Sequence, residues 1–572
     1  MIRPGSAPSC GGCPCRKASM ANEQHEQLDW QDDEETRLGT VVGGSLSRGL
    51  EVRLHPGASV ERAKVGTFVT VQGGWYRFFG LITDLSLESA DSHFAAAISG
   101  TDPALAQVLS GTSVYSMVQV TPMLTTSAAE PEPQPARSLP GHFSAVSRAS
   151  NLDVQAIFGS EDARHIYIGS PLDMEDARVC IDLEELVKRS NGVFGKSGSG
   201  KSFLTRILLA GILQKGLATH LVFDMHNEYG WQGTSESGYA VKGLKQLFGG
   251  QVAVFTLDES SSRRRGVSPD YVAHIGFEEI EPEDMAILAP VLNIRELGVQ
   301  ACYTLAHHFG SREGNWITSF LDLPSEDLQV LAVELSESLS TLEALRRRLR
   351  QLERFDFLTR RPPGGRGTVA TIMEYLDRGI HVVLEFGRYG DELAAYLLVA
   401  NLLTRRVHEL YRQRTEEALV AGGTSPTPLV ITIEEAHRFL SPQVAGQTIF
   451  GTIAREMRKY NVTLLVVDQR PSGIDEEIMS QIGTRITCQL DNERDVDAVL
   501  AGASGARELK GVLSRLEAKQ QALLLGHALP MPVVVRTREY GADFYTEMAG
   551  FSGGLPPEAQ RQRNREDLFG KS

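Results

Sequence analysis

The sequence has 572 residues, 42% of them hydrophobic, and a formal net charge of −15. This length and apolar share fit three or four globular units and exclude a mainly disordered chain. The acidic balance argues against a surface coated in basic residues, though a basic channel inside a ring remains compatible with it. Six cysteines in so long a chain do not make a disulfide framework. With no run of about eighteen apolar residues and no signal-peptide core, a cytoplasmic protein without membrane contact is expected.

Residues 1–37 are polar and read as a disordered extension; Cys10, Cys13 and Cys15 within it have no second cluster nearby to complete a metal site. From 38 to 125 short strand-like runs, among them Leu50-Glu51-Val52-Arg53-Leu54 and Val65 to Val71, alternate with Gly and Pro and predict a small β-barrel. Residues 126–150, with Pro131, Pro133 and Pro135, read as an extended linker.

Gly195-Lys196-Ser197-Gly198-Ser199-Gly200-Lys201-Ser202 follows the apolar Val193-Phe194 and opens a helical run at Phe203. Strand, glycine-rich loop and helix in that order make a phosphate cradle, because glycines let successive N–H groups turn inward and the helix N-terminus adds partial positive charge. These residues and Phe203 are the expected ATP-binding set, with Lys201 reaching the β/γ-phosphates and Ser202 holding Mg²⁺. Asp224 ends the apolar run Leu221-Val222-Phe223 and is expected to face the same crevice, where ligands of open α/β sheets sit.

Runs beginning at Leu221, Val252, Val382, Leu429 and Val462 are apolar almost throughout, as strands buried on both faces are. They predict an α/β core with a parallel-rich sheet, spanning 151–268 and 364–540. Residues 269–363 form a helical insertion, in which Leu328, Leu331, Leu335, Leu339, Leu342, Leu345, Leu349 and Leu352 draw one apolar stripe. Arg346, Arg347, Arg348 and Arg350 read as a solvated face of that helix. Residues 541–572 read as a C-terminal arm or tail.

Hydrolysis needs a carboxylate for the metal's water shell and a group to orient the attacking water. Glu434 and Glu435 follow the strand ending at Ile433, and are assigned those roles in that order. Gln469 ends the next strand and is set like a sensor of the γ-phosphate. Just before that strand, Ala454-Arg455-Glu456-Met457-Arg458 offers arginines that a ring could present to a neighbour's site.

Taken together, Gly195 to Ser202, Asp224-Met225-His226-Asn227-Glu228-Tyr229, Glu434-Glu435-Ala436-His437-Arg438-Phe439-Leu440, Arg455 to Tyr460 and Gln469-Arg470-Pro471-Ser472 resemble the ordered motifs of HerA-type hexameric ATPases of the HerA/FtsK class. The resemblance implies an N-terminal HAS-barrel, a RecA-like core with a helical insertion, a homohexamer and ATP-driven movement on double-stranded DNA. It implies a partner too, a NurA-like nuclease or another effector, and a role in DNA end processing and repair. By the same resemblance Arg458 is the finger reaching into the neighbouring site, Arg455 the next candidate, and Arg189 a nucleotide contact. Two departures stand out: Glu434 occupies a position where many members have Asp, and Met225 and Asn227 replace the Pro and Gly often seen after Asp224. An alternative reading is a nucleotide-controlled ring scaffold for an effector, for example a Sir2-like protein, in antiviral defence.

Overall fold

Six strands close the first unit of this computed structural model. The structure describes residues 36–550 apart from 57, 90–113, 128, 235–239, 311–314, 361–366, 422–424, 457–458, 504 and 518–519. Residues 1–35 of the expected extension, with its three cysteines, and residues 551–572 of the expected tail therefore lie outside the described residues, while Arg37 already belongs to the first strand. Strands β1 (Arg37–Ser45), β2 (Gly49–Leu54), β3 (Phe68–Gln72), β4 (Arg77–Ser89), β5 (Val114–Thr126) and β6 (Ala145–Arg148) pair in the order β2-β1-β6-β3-β4-β5. β5 then returns to β2 through Leu50 to Arg53, which removes the open edge.

Alternation along these strands serves two cores at once. Val69, Phe78, Ile82, Val118, Val120 and Val146 fill the barrel, while Phe68, Phe79, Leu81 and Leu124 on the opposite face join the core of the larger unit. The stretch 126–150 is more than a linker. It carries β6, which sits between β1 and β3, and Gln134–Pro135 pairs with Leu124 and Thr125 at the end of β5, an edge position that proline tolerates.

The larger unit is built on a sheet of twelve strands. Eleven are labelled here: β7 (His165–Pro171), β8 (Val179–Asp182), β9 (Asn191–Phe194), β10 (Thr219–Asp224), β11 (Val252–Thr256), β12 (His381–Glu385), β13 (Leu429–Glu434), β14 (Val462–Asp468), β15 (Thr484–Thr487), β16 (Gln521–Gly526) and β17 (Val533–Thr537). From the short edge strand Tyr271–Val272 the order is β11-β12-β10-β13-β14-β9-β15-β16-β17-β7-β8. The run from β11 to β15 is parallel and the four strands beyond it are antiparallel. Every residue of β9, β10, β11, β13 and β14 is buried, which accounts for their unbroken apolar runs.

Register brings the chemistry to one edge. Phe194 pairs with Asp468, Glu434 with Val467, Phe223 with Ile433 and Asp224 with Glu385. The carboxyl ends of β9, β14, β13, β10 and β12 thus finish within about a residue of each other. Helix α1 (Lys201–Lys215) rises from this edge behind the glycine loop, with Leu204 to Leu213 buried. Gly200 at φ +98° begins it and Gly216 at φ +65° ends it, both in backbone that other residues rarely adopt.

The insertion folds as helices α2 (Pro282–Leu292), α3 (Glu296–Phe309), α4 (Trp316–Asp322), α5 (Asp327–Glu334) and α6 (Leu339–Leu349). It is tied to the long core helix α7 (Leu393–Ala421) by Arg405 and Asn401, whose nitrogens lie 2.8 and 3.2 Å from the buried Asp284 carboxylate. The leucine stripe belongs to two helices rather than one. Ser336 at φ +57° turns the chain between them, while Leu328, Leu331, Leu342, Leu345, Leu349 and Leu352 still reach the core. Arg346 donates to Leu323 O at 3.0 Å and Ser325 Oγ at 3.1 Å, so at least this arginine holds α6 to the end of α4. No helix among the described residues is long and apolar enough to cross a membrane.

Candidate active site

The glycine loop is formed as a cradle. Gly195 has φ +152°, and a Cβ there would lie 2.6 Å from Ser199 Oγ and 2.8 Å from Cys488 Cβ, so only glycine fits. Its N–H donates to Asp468 O at 3.2 Å, and the Lys196 N–H donates to Gln489 O at 2.9 Å, which pins the loop to the strands on either side. Gly198 at φ +74° turns the loop. Ser199 Oγ and Lys201 Nζ both donate to Lys196 O, at 2.7 and 2.8 Å. Ser197 is exposed, Ser202 and Phe203 are half-buried, and the Phe203 ring lies 6.3 Å from that of Tyr540.

Lys201 links this loop to the acids. Burial lowers its ammonium from the ordinary lysine range, and the nearby Glu435, Asp468 and Glu434 carboxylates work against that shift. A half-buried cation folded onto a backbone carbonyl marks an anion seat. The loop geometry, the cation and the hard oxygens of Ser202 and Glu434 fit a nucleotide phosphate with Mg²⁺.

Glu434 ends β13 and is buried. Its Oε1 accepts from the Tyr229 hydroxyl at 3.0 Å. Burial pushes its carboxyl well above the usual carboxylate range, and the charges of Asp224 and Glu228 push the same way. Glu435 follows in left-handed backbone, φ +48°, a conformation that costs a residue with a Cβ about 1 kcal/mol or more. There its Oε1 accepts from Gln469 Nε2 at 2.5 Å. So Glu434, Glu435 and Gln469 stand together beside the loop.

Asp468, at the end of β14, is a residue that the sequence reading passed over. It is buried, and its Oδ2 accepts from the His437 N–H at 2.6 Å while its Oδ1 accepts from the Arg470 N–H at 2.6 Å. His437 Nδ1 lies 3.0 Å from Asp468 Oδ2 and 3.7 Å from Glu435 Oε2. The hydrogen bond to Asp468 holds the His437 imidazole above its ordinary range, against the effect of burial. Glu435, His437 and Asp468 offer ligand atoms within 4.8 Å of one another. The signal was present in the sequence: Asp468 ends an apolar run just as Asp224 and Glu434 do.

Asp224 reaches the same edge, but its oxygens are engaged. They accept from the backbone N–H groups of Glu228 (2.7 Å), Tyr229 (2.8 Å) and Gly230 (3.2 Å), which oppose the rise that burial imposes on its carboxyl. These bonds fold the loop from Asp224 to Gly230 around the carboxylate. Next to it Glu385, pushed up to about 7 by burial, pairs with Arg265.

Two of the three arginines, Arg189 and Arg455, are placed away from this site. Arg189 precedes β9, at the opposite end of a four-residue strand from the loop, roughly 13 Å away, and contacts His527 Nε2 at 2.5 Å. Arg455 lies on α8 (Ile449–Glu456), exposed, 3.3 Å from Glu477. Arg458 lies outside the described residues.

Known proteins bear on this arrangement. Residues 166–407 match the family described as DUF87, Helicase HerA, central domain, and residues 38–107 match the HAS barrel domain. The chain is 28% identical over 424 residues to the DNA double-strand break repair helicase HerA of Pyrococcus furiosus, covering 68% of this chain and 72% of that one. It is 24% identical over 526 residues to the protein of the same name from Sulfurisphaera tokodaii, covering 88% and 93%. Among solved structures it is similar to VirB4 of Thermoanaerobacter pseudethanolicus, with a TM-score of 0.46 and 15% identity over 68% of this chain and 99% of that one. It is similar also to the plasmid coupling protein TrwB in complex with ADP and Mg²⁺, with a TM-score of 0.43 and 12% identity over 68% and 97%.

Proposed function

We propose that this chain, which belongs to the HerA family, works in the cytoplasm as a homohexameric ATPase that moves along double-stranded DNA, serving DNA end processing and repair with a NurA-like nuclease or another effector protein. In domain terms the proposal assigns 38–125 with β6 to the barrel, 151–268 and 364–540 to the ATPase core and 269–363 to the helical insertion. The observation that carries it is the convergence of Lys201, Glu434, Glu435 and Asp468 at the mouth of a glycine cradle, on the carboxyl ends of adjacent parallel strands. That grouping supports phosphoryl transfer to water, in which positioning and charge do most of the work.

The roles follow from the geometry. The loop from Gly195 to Ser202 turns N–H groups toward the phosphates, and Phe203 bounds the nucleotide on the helix side. Lys201, already a half-buried cation seeking an acceptor, exchanges Lys196 O for phosphate oxygen. Mg²⁺, when bound through Ser202 and the water shell facing Glu434, supplies positive charge to the developing anion. Glu435 orients the attacking water and takes its proton, held in position by its strained backbone and by Gln469. Because the Gln469 amide already touches Glu435, a γ-phosphate that drew the amide away would report itself on the acid. Asp224 shapes the loop behind Glu434. Arg458, with Arg455 as the next candidate, supplies charge to a neighbour's site across the ring, and Arg189 is left the weakest of the nucleotide contacts.

A steady-state ATPase assay with and without linear duplex DNA, repeated with a candidate nuclease, tests the proposal. Turnover should rise with duplex and change again with the partner. Turnover that ignores DNA and responds only to a bound effector would support the nucleotide-controlled scaffold instead.

A further inference from the structure

We infer that Tyr229 is a positioning residue for Glu434: its hydroxyl holds one carboxylate oxygen so that the other is left to the water shell of the nucleotide's divalent cation. The inference rests on the ATPase reading above and adds to it a residue that acts through another. Tyr229 is wholly buried, with the Arg206 guanidinium 5.9 Å from its ring centre. Its own backbone is fixed, because the Tyr229 N–H donates to Asp224 Oδ2 at 2.8 Å. From that anchored position its hydroxyl donates to Glu434 Oε1 at 3.0 Å.

The main chain of Glu434 is held by a second buried phenol. The Tyr396 hydroxyl donates to Glu434 O at 2.9 Å and accepts from the Glu434 N–H at 3.1 Å, and its ring is wedged between Phe386 and Phe439 at 5.1 Å from each. Both phenols come from outside the strand, one from the loop after β10 and one from α7. With the backbone and Oε1 fixed, one oxygen is left. Glu434 Oε2 is buried and takes no hydrogen bond from any described residue. A carboxylate oxygen has two acceptor positions and is costly to bury unused. An oxygen held in that condition on a residue only 6% exposed, beside the Lys201 cradle, is built for a ligand that supplies the missing partner.

The arrangement accounts for the length of the acid. Glutamate has one more torsion than aspartate, so an unrestrained Glu434 would sample positions away from the cation. The Tyr229 hydroxyl removes that freedom, and reaches it only because the extra methylene extends the carboxylate toward it. Groups that orient a carboxylate at a metal site in this way typically carry ten- to a hundredfold in metal affinity or activity.

The test uses the full chain with ADP and Mn²⁺ as probes, reading Mn²⁺ affinity of the ADP complex by electron paramagnetic resonance and the Mg²⁺ dependence of ATP turnover. Tyr229→Phe should weaken Mn²⁺ binding roughly ten- to a hundredfold and raise the Mg²⁺ needed for half-maximal turnover in step, while KM for ATP at saturating Mg²⁺ stays put. In a Glu434→Asp background the same substitution should change Mn²⁺ affinity by no more than about twofold, since the shorter acid stops short of the phenol. Equal losses in both backgrounds would mean that Tyr229 merely packs, and overturn the inference. So would unchanged Mn²⁺ affinity in Tyr229→Phe beside a wild-type protein that binds the probe. Wild-type protein that binds neither ADP nor Mn²⁺ would overturn this assignment and the ATPase reading together.

Discussion

Asp468→Asn tests whether the acid that ends β14 organises the site. The carboxylate takes the His437 N–H on Oδ2 and the Arg470 N–H on Oδ1, both at 2.6 Å, with His437 Nδ1 at 3.0 Å from Oδ2. Asparagine keeps one oxygen and turns an NH₂ group toward one of those donors. A hydrogen bond to a charged group contributes about 1.5–3 kcal/mol, so losing one puts the cost near 2 kcal/mol, or a fall of roughly 2–3 °C in thermal midpoint for a unit of this size. The pH dependence gives a sharper readout. Asp468 raises the folded-state pKa of His437, so the pair contributes stability that is fully present below the unfolded histidine value, near 6.5, and is lost as pH rises through the folded value. The gap in midpoint between wild type and Asp468→Asn should therefore be widest at the acid end of a series from about pH 5 to 8 and narrow toward the alkaline end. NMR of histidine-labelled protein, assigned with a His437→Gln sample, should show the His437 titration moving to lower pH in the variant. A His437 titration unaltered by Asp468→Asn, or a midpoint gap that does not vary with pH, would refute the coupling.

Lys201→Ala should weaken both the binding of a fluorescent ATP analogue and turnover, whereas Glu435→Gln should keep binding and lose turnover by roughly 10²- to 10⁴-fold; normal ATPase activity in the second variant would remove Glu435 from catalysis. DNA binding should be insensitive to sequence and fall steeply with salt, and a strong preference for one duplex at constant salt would count against a translocating ring. Arg458→Ala and Glu435→Gln proteins, each nearly inactive, should regain activity when mixed, because some interfaces then join an intact Glu435 to a neighbour's intact Arg458, a contribution of about 10³ to 10⁵ in related phosphoryl transfers. If mixed rings form and stay inactive, Arg455 is the residue to test next.

What the sequence reveals is what a short segment decides for itself. The cradle from Gly195 to Ser202 is legible because its positive φ values demand glycine at fixed offsets. The strands at Leu221, Leu429 and Val462 are legible because burial on both faces leaves no polar alternation. By contrast β6 has four residues and lies beyond a proline-rich stretch, and only its pairing with β1 and β3 makes it a barrel strand. The leucine stripe of the insertion keeps its spacing across the break at Ser336, so periodicity alone could not find the turn. Tyr396 carries no local signal at all: its role exists only because α7 packs its hydroxyl against a strand end 38 residues away.

Two of the departures from the motifs, Asn227 and Glu434, are tied to the same long-range contacts, while nothing in the structure explains Met225. Asn227 stands where glycine is often found, and its φ is +57°, a left-handed conformation that asparagine tolerates better than other residues with a Cβ. It also does what glycine could not, since its Oδ1 accepts from the Gly387 N–H at 3.1 Å and ties the loop after β10 to the loop after β12. That tie holds the segment whose other end is Tyr229, and Tyr229 is the group that an acid as long as Glu434 can reach. The Asn-for-Gly and Glu-for-Asp replacements thus meet on one loop, and each makes structural sense in the presence of the other. If so, restoring only one of them should be worse than restoring both: Glu434→Asp and Asn227→Gly should each lower turnover, and the double substitution should lose less than either one alone.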